Sequence, residues 1–146
     1  MKYIKISLLA LMSLMFQACV AGKHLSNEEL FQKAIVGCPN PEMAIILIPS
    51  RGLAGDAIAI ASVKTMGSDG GFSSNFSTYL KLDMKNIGVS CPNAQKLEAI
   101  LLNNFSLYKN NELKGVDICA IGISNSQEVV SEATRTGASV TFVPSK

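Results

Sequence analysis

Val116-Asp117-Ile118-Cys119-Ala120-Ile121-Gly122-Ile123 leads into Ser124-Asn125-Ser126-Gln127, then into a helical stretch ending at Gly137, then into Ser139-Val140-Thr141-Phe142-Val143. The first run is apolar on both faces, as a strand buried inside a sheet is. Ser124 and Gln127 have the S-x-x-Q spacing of a capping box. Val129, Val130 and Ala133 share one helical stripe, and Gly137 is placed to close that helix at C′. The last run alternates and stops at Pro144. The stretch reads as a strand–helix–strand unit with a right-handed crossover. It is a scaffold and carries no chemistry of its own.

Upstream, Ser26 and Glu29 form a second capping box, Leu25 and Leu30 a hydrophobic staple, and Leu30, Phe31, Ala34 and Ile35 a buried stripe. Gly37 and Pro39 end that helix. Residues 43–48 are a short apolar run, expected to be a central strand. Residues 57–66 alternate alanines with Ile58 and Ile60 and suggest a second strand, joined to the first through a turn. Residues 79–85 alternate at period 2 and suggest a third strand, with a helix through Leu80, Met84 and Ile87 as the alternative. Cys91-Pro92-Asn93 opens a helix whose stripe is Leu97, Ile100, Leu101 and Phe105. Asn110-Asn111 tolerates positive φ, so residues 106–114 suggest a hairpin feeding the strand at Val116. The expectation is one α/β or α+β domain, residues 23–146, with a five- or six-stranded mixed sheet and about three helices.

The segment between residues 67 and 77 is rich in Gly and Ser but carries Phe72 and Phe76. These aromatics either tuck back onto the core or make the segment a binding loop. Gly122-Ile123-Ser124-Asn125-Ser126 resembles the G-x-S-x-G nucleophile elbow of α/β-hydrolases in placement, with Ser126 replacing the last glycine. The chain's single histidine, His24, precedes that serine and lies near the N-terminus, so Ser124 reads as a helix cap and no catalytic residue is assigned. Asp56, Asp69, Asp83 and Asp117 show no spacing that singles out a pair. Asp117, inside an apolar run, is the most unusual of them. No phosphate-binding loop is legible among the glycines, and neither a metal site nor a cofactor is expected. Asn75-Phe76-Ser77 and Asn104-Phe105-Ser106 match the glycosylation sequon, which matters only in a eukaryotic secretory pathway.

Residues 1–22 have the layout of an export signal: Lys2 and Lys5, an apolar run over residues 6–16, then Ala18, Ala21 and Gly22. The run falls short of the roughly 20 residues a bilayer span needs. Removing Lys2 and Lys5 from the 13 basic residues leaves 11 against 11 acidic ones. A near-neutral chain lacks the electrostatic footprint of a nucleic-acid binder. Phe16-Gln17-Ala18-Cys19 resembles a bacterial lipobox, which makes Cys19 the candidate lipidated residue; cleavage after Ala21 or Gly22 is the competing route. The exported compartment is oxidising, and one disulfide is expected. Cys91 and Cys119 are the favoured pair because the chain between them is short, with Cys38 as the rival partner for either.

In outline the chain resembles small lipoproteins of the bacterial periplasm and outer membrane: a lipobox-like signal, a short neutral domain and a cysteine pair. Val20 after the cysteine implies the outer membrane; without lipidation the protein is secreted. The resemblance implies a non-enzymatic role in binding another envelope protein. The two forms considered are a pilotin-like accessory of secretion or pilus assembly and a periplasmic immunity protein against a toxin. A small secreted hydrolase is the enzymatic alternative.

Overall fold

The structure is a computed structural model and describes residues 25–146. The expected export signal and the candidate lipidation at Cys19 fall outside the described residues. The described chain forms α1 (Asn27–Gly37), β1 (Ala44–Leu47), α2 (Gly52–Met66), α3 (Phe72–Lys81), β2 (Asn86–Ser90), α4 (Ala94–Ser106), β3 (Asp117–Ile121), α5 (Gln127–Thr136) and β4 (Ser139–Val143). The four strands make one sheet in the order β1-β2-β3-β4, parallel throughout. The class is therefore α/β. The expected mixed sheet of five or six strands with about three helices is corrected to four parallel strands and five helices among the described residues.

Three readings account for the difference. Residues 57–66 belong to α2. Its inward positions are Asp56, Ile60 and Val63, at helical spacing, but an aspartate occupies one of them and hides the period. Residues 79–85 are the end of α3 and a turn in which Asp83 has φ 58°. The Gly- and Ser-rich composition before them hides the stripe Phe72, Phe76, Tyr79 and Leu80. Residues 107–114, after the end of α4 at Ser106, form successive turns, with Asn111 at φ 60°, and no hairpin. Here Asn111 N–H and Leu113 N–H donate to the carbonyls of Arg135 and Thr136 at the end of α5.

Strand alternation divides the core in two. Ile46, Ile87, Val89, Ile118 and Ala120 face α2, α3, α4 and α5 in one large cluster. Ile121, Val143 and Cys119 face α1 in a small one with Leu30, Ala34 and Cys38. All the crossover helices thus share one face, so the crossovers have a single hand, and the general rule for such units makes it right-handed. A helix about 10 Å across cannot cover four strands spaced about 4.8 Å apart. α1 lies over β2, β3 and β4, and Leu47 on β1 is left exposed on its side.

The same alternation decides the disulfide. Cys119 points towards α1 and bonds Cys38, whereas Cys91 is buried in the cluster on the opposite face. The expected Cys91–Cys119 pair is corrected to Cys38–Cys119, because the sheet stands between Cys91 and Cys119 whatever the loop length. Burial pushes the Cys91 thiol up to about 11, against smaller opposing contributions from a hydrogen bond and Lys96, so at neutral pH it is not a thiolate.

Local signals fared better than strand counts. The Ser26–Glu29 capping box is present, with Ser26 N–H donating to Glu29 Oε2 at 2.8 Å and Glu29 N–H to Ser26 Oγ at 3.2 Å. Gly37 ends α1 as expected, as its last residue. Its missing side chain lets α1 approach β4, since a Cβ there would stand 2.9 Å from Val143. Gly137 closes α5 at φ 85°. The cap of α5 is Ser126: its Oγ accepts from Val129 N–H at 3.2 Å and donates to Glu98, while Ser124 is exposed. This corrects the S-x-x-Q reading by two residues.

Candidate functional site

β1 runs out at its C-terminal end into Ile48, whose N–H donates to Ser90 O at 2.8 Å, and then into Pro49-Ser50-Arg51. Gly52, at φ 75°, turns the chain into α2. The first turns of α2 bring Asp56 back over this bend. From the neighbouring strand end, Asn93 caps α4 and Lys96 occupies its first turn, with Asn93 Oδ1 accepting from Lys96 N–H at 3.1 Å. The result is a polar cluster built on the carboxyl ends of β1 and β2.

Asp56 is 1% exposed and Lys96 5%. Lys96 Nζ donates to Asp56 Oδ1 at 2.9 Å and to Pro49 O at 2.6 Å. Asp56 Oδ1 also accepts from Arg51 N–H at 3.0 Å, and Oδ2 accepts from Ser50 Oγ at 2.6 Å and Asn93 Nδ2 at 3.2 Å. Desolvation pushes this carboxyl up. The hydrogen bonds from Ser50, Arg51 and Lys96, with the Lys96 charge, outweigh it and hold the group well below the usual carboxylate range. The four donors use the carboxylate's accepting capacity. Asp56 is therefore ionised and fully engaged, and it ties the β1–α2 bend to the start of α4.

A cleft of about 280 Å³ opens beside this cluster, between β1, α2 and the start of α3. Ile46, Ile58, Val63 and Phe72 line its apolar part, and Arg51 and Asp69 its polar rim. Asp69 is engaged as well: it accepts from Gly71 N–H and Ser73 N–H, each at 3.1 Å, from the Ser73 hydroxyl, and from Asn103 Nδ2 at 3.4 Å. The outer side of α2 is apolar and in water, with Leu53 85%, Ile58 69% and Met66 73% exposed. A second hollow of about 230 Å³, lined by Cys38, Met43, Asn86, Asp117, Cys119 and Thr141 among others, runs along the disulfide on the α1 face.

The residues singled out in the sequence fall elsewhere. Phe72 and Phe76 lie in α3, both buried, with ring centroids 5.9 Å apart, and Phe76 meets Tyr108 edge-on at 6.0 Å. The binding-loop alternative is thereby corrected: these rings belong to the core, with Phe72 also on the cleft wall. Asp117 is exposed at the start of β3 and accepts from the Ser139 hydroxyl. Asn104 is fully buried, so its sequon is inaccessible in the folded chain. No group of three or more metal-ligating side chains occurs among the described residues. The Asp56–Lys96 pair was missed, yet it left a signal: each charge occupies an inward position of an otherwise apolar helical stripe, and the signs are opposite.

The chain matches no known protein family, no curated protein and no solved structure.

Proposed function

We propose that this is a small exported bacterial envelope protein, anchored through a lipid on Cys19, that acts by binding another envelope protein. Its role would be that of a pilotin-like accessory to secretion or pilus assembly. The lipobox-like exit of the N-terminal segment supports the location. The outer side of α2 supports the mode of action. An apolar helix is normally buried on all sides, and α2 instead presents Leu53, Ile58 and Met66 to solvent, with Ile58 on the cleft wall. Leu53 and Ile58 are joined on that side by the exposed Ala54, Ala57 and Ala61; connected apolar surface marks binding surfaces, and an amphipathic partner helix is the occupant a cleft flanked by a helix suits best.

The test is photocrosslinking in intact cells. A photoreactive residue at position 58 is expected to give one discrete adduct, and the same residue at Glu132 on α5 none. Cys19→Ala should release the protein from membranes and abolish the adduct. No adduct at 58, or the same adducts from both positions, would end the binding reading. A toxin as the captured partner would replace the secretion role by the immunity role.

A further inference from the structure

We infer that the Cys38–Cys119 disulfide is a redox latch: it holds α1 closed over the sheet, and its reduction lets α1 swing away while the rest of the domain stays folded. The basis is the division of the core. The large cluster begins at Ile46 and includes no residue of α1 or of the turn that follows it. α1 itself buries Leu30 and Ala34. Its capping bonds, and the bond from Glu42 N–H to Asn40 Oδ1, are local to the segment. Among the described residues, α1 is held by its packing in the small cluster over β2, β3 and β4 and by the covalent bond across a sequence separation of 81. The face underneath also carries an unsatisfied polar group. Ser90, which pairs with Ile121 in the register and so faces α1, is 1% exposed, and its hydroxyl has no hydrogen-bond partner among the described residues. A segment at one end of the described chain, with few buried contacts of its own, opens as a local unit.

The bond is itself buried, with Cys38 7% and Cys119 4% exposed, but it borders open space. Both half-cystines line the hollow on the α1 face, and Cys38 follows directly on the helix, at the start of a largely exposed turn. A dithiol reductant of the Cys-x-x-Cys type would attack Cys38 Sγ through its thiolate, forming a mixed disulfide and expelling the Cys119 thiolate, which takes up a proton. The reductant's second thiol then displaces Cys38 and leaves the reductant as a disulfide. Two electrons pass to the protein and two thiols result. Cys91 takes no part, since it lies across the sheet with its thiol protonated. Opening uncovers Ile45, Gly88, Ile121 and Val143, an apolar sheet face distinct from the α2 surface.

Hydrogen exchange on the purified full chain, oxidised and then reduced with dithiothreitol, tests this directly. Exchange across α1 is expected to accelerate by more than about 100-fold on reduction, with β2, β3 and α4 unchanged, and to return on reoxidation. Alkylation of the reduced native protein should mark Cys38 and Cys119 and spare Cys91. The Cys38→Ser/Cys119→Ser variant should exchange like the reduced protein. Full protection of α1 after reduction would overturn the latch, and so would loss of protection in β2 and β3 together with α1.

Discussion

The two faces of the sheet solve the same problem by different means. One is covered by four helices and a continuous apolar cluster, into which a buried ion pair is set. Among the described residues, the other is covered by one helix, a small cluster and a covalent bond. Apolar burial is cooperative and spreads over many contacts, so the first face should yield only when the domain does. A staple concentrates the attachment in one bond that chemistry can cut. A chain of this size can thus keep a permanent core and a conditional one on opposite sides of the same strands.

The largest loss should come from a change that spares neither face. Gly122 follows β3 at φ 112°, and a Cβ there would stand 2.1 Å from Cys91 O, a backbone atom that cannot move aside. Gly122→Ala should cost more than about 4 kcal/mol, seen as loss of soluble, cooperatively melting protein. A variant melting within a few degrees of wild type would show that the end of β3 can shift, and that the two faces are less rigidly joined than the register implies.

A change confined to the four-helix face comes next. Lys96→Met leaves Asp56 buried without its cation and should cost about 3–5 kcal/mol, while Asp56→Asn combined with Lys96→Met should recover much of that loss. Acid titration sharpens the point. The folded carboxyl lies below its ordinary value of 3.8, so below that pH the unfolded chain binds a proton that the native chain does not. The pair's contribution is present above pH 3.8 and fades as pH falls through and below it. Between pH 4 and pH 2 wild type should therefore lose more stability than the double variant in denaturant melts. Parallel acid curves would show that the pair contributes nothing net.

What the sequence disclosed depended on which interactions were local. The capping box at Ser26, the helix opened at Asn93, the strand through Ile118 and Ala120 and the strand after Ala138 were legible because a few neighbouring residues determine each. The strand count failed where tertiary partners overrode pattern. Asp56 sits on the buried side of α2 only because Lys96 neutralises it from another helix. Phe72 and Phe76 hold a helix together inside a segment whose glycines and serines suggest a loop. The disulfide failed for a third reason: contour length ranks cysteine pairs by loop closure, whereas strand alternation had placed Cys119 and Cys91 on opposite sides of the sheet. Of the candidate site, the two charges interrupting apolar stripes were readable. Their pairing was not, since nothing in either stripe fixes which helices meet.

The smallest effect separates two serines only two residues apart. Ser126 Oγ takes Val129 N–H at the start of α5, where an uncompensated donor would otherwise face the cluster that buries Val129, and it also reaches Glu98 on α4. Ser126→Ala should cost about 1 kcal/mol, the usual worth of a cap, and a little more if the Glu98 bond contributes. Ser124 is exposed in the preceding turn, so Ser124→Ala should fall within about 0.5 kcal/mol of wild type. Both belong to the permanent side of the molecule, so neither change should alter the response of α1 to reduction. Thermal melts of the two variants, each with and without dithiothreitol, measure both quantities together. Equal losses at the two positions would return the cap to Ser124, and a change in the reduction response at Ser126 would mean that the two faces communicate through β3.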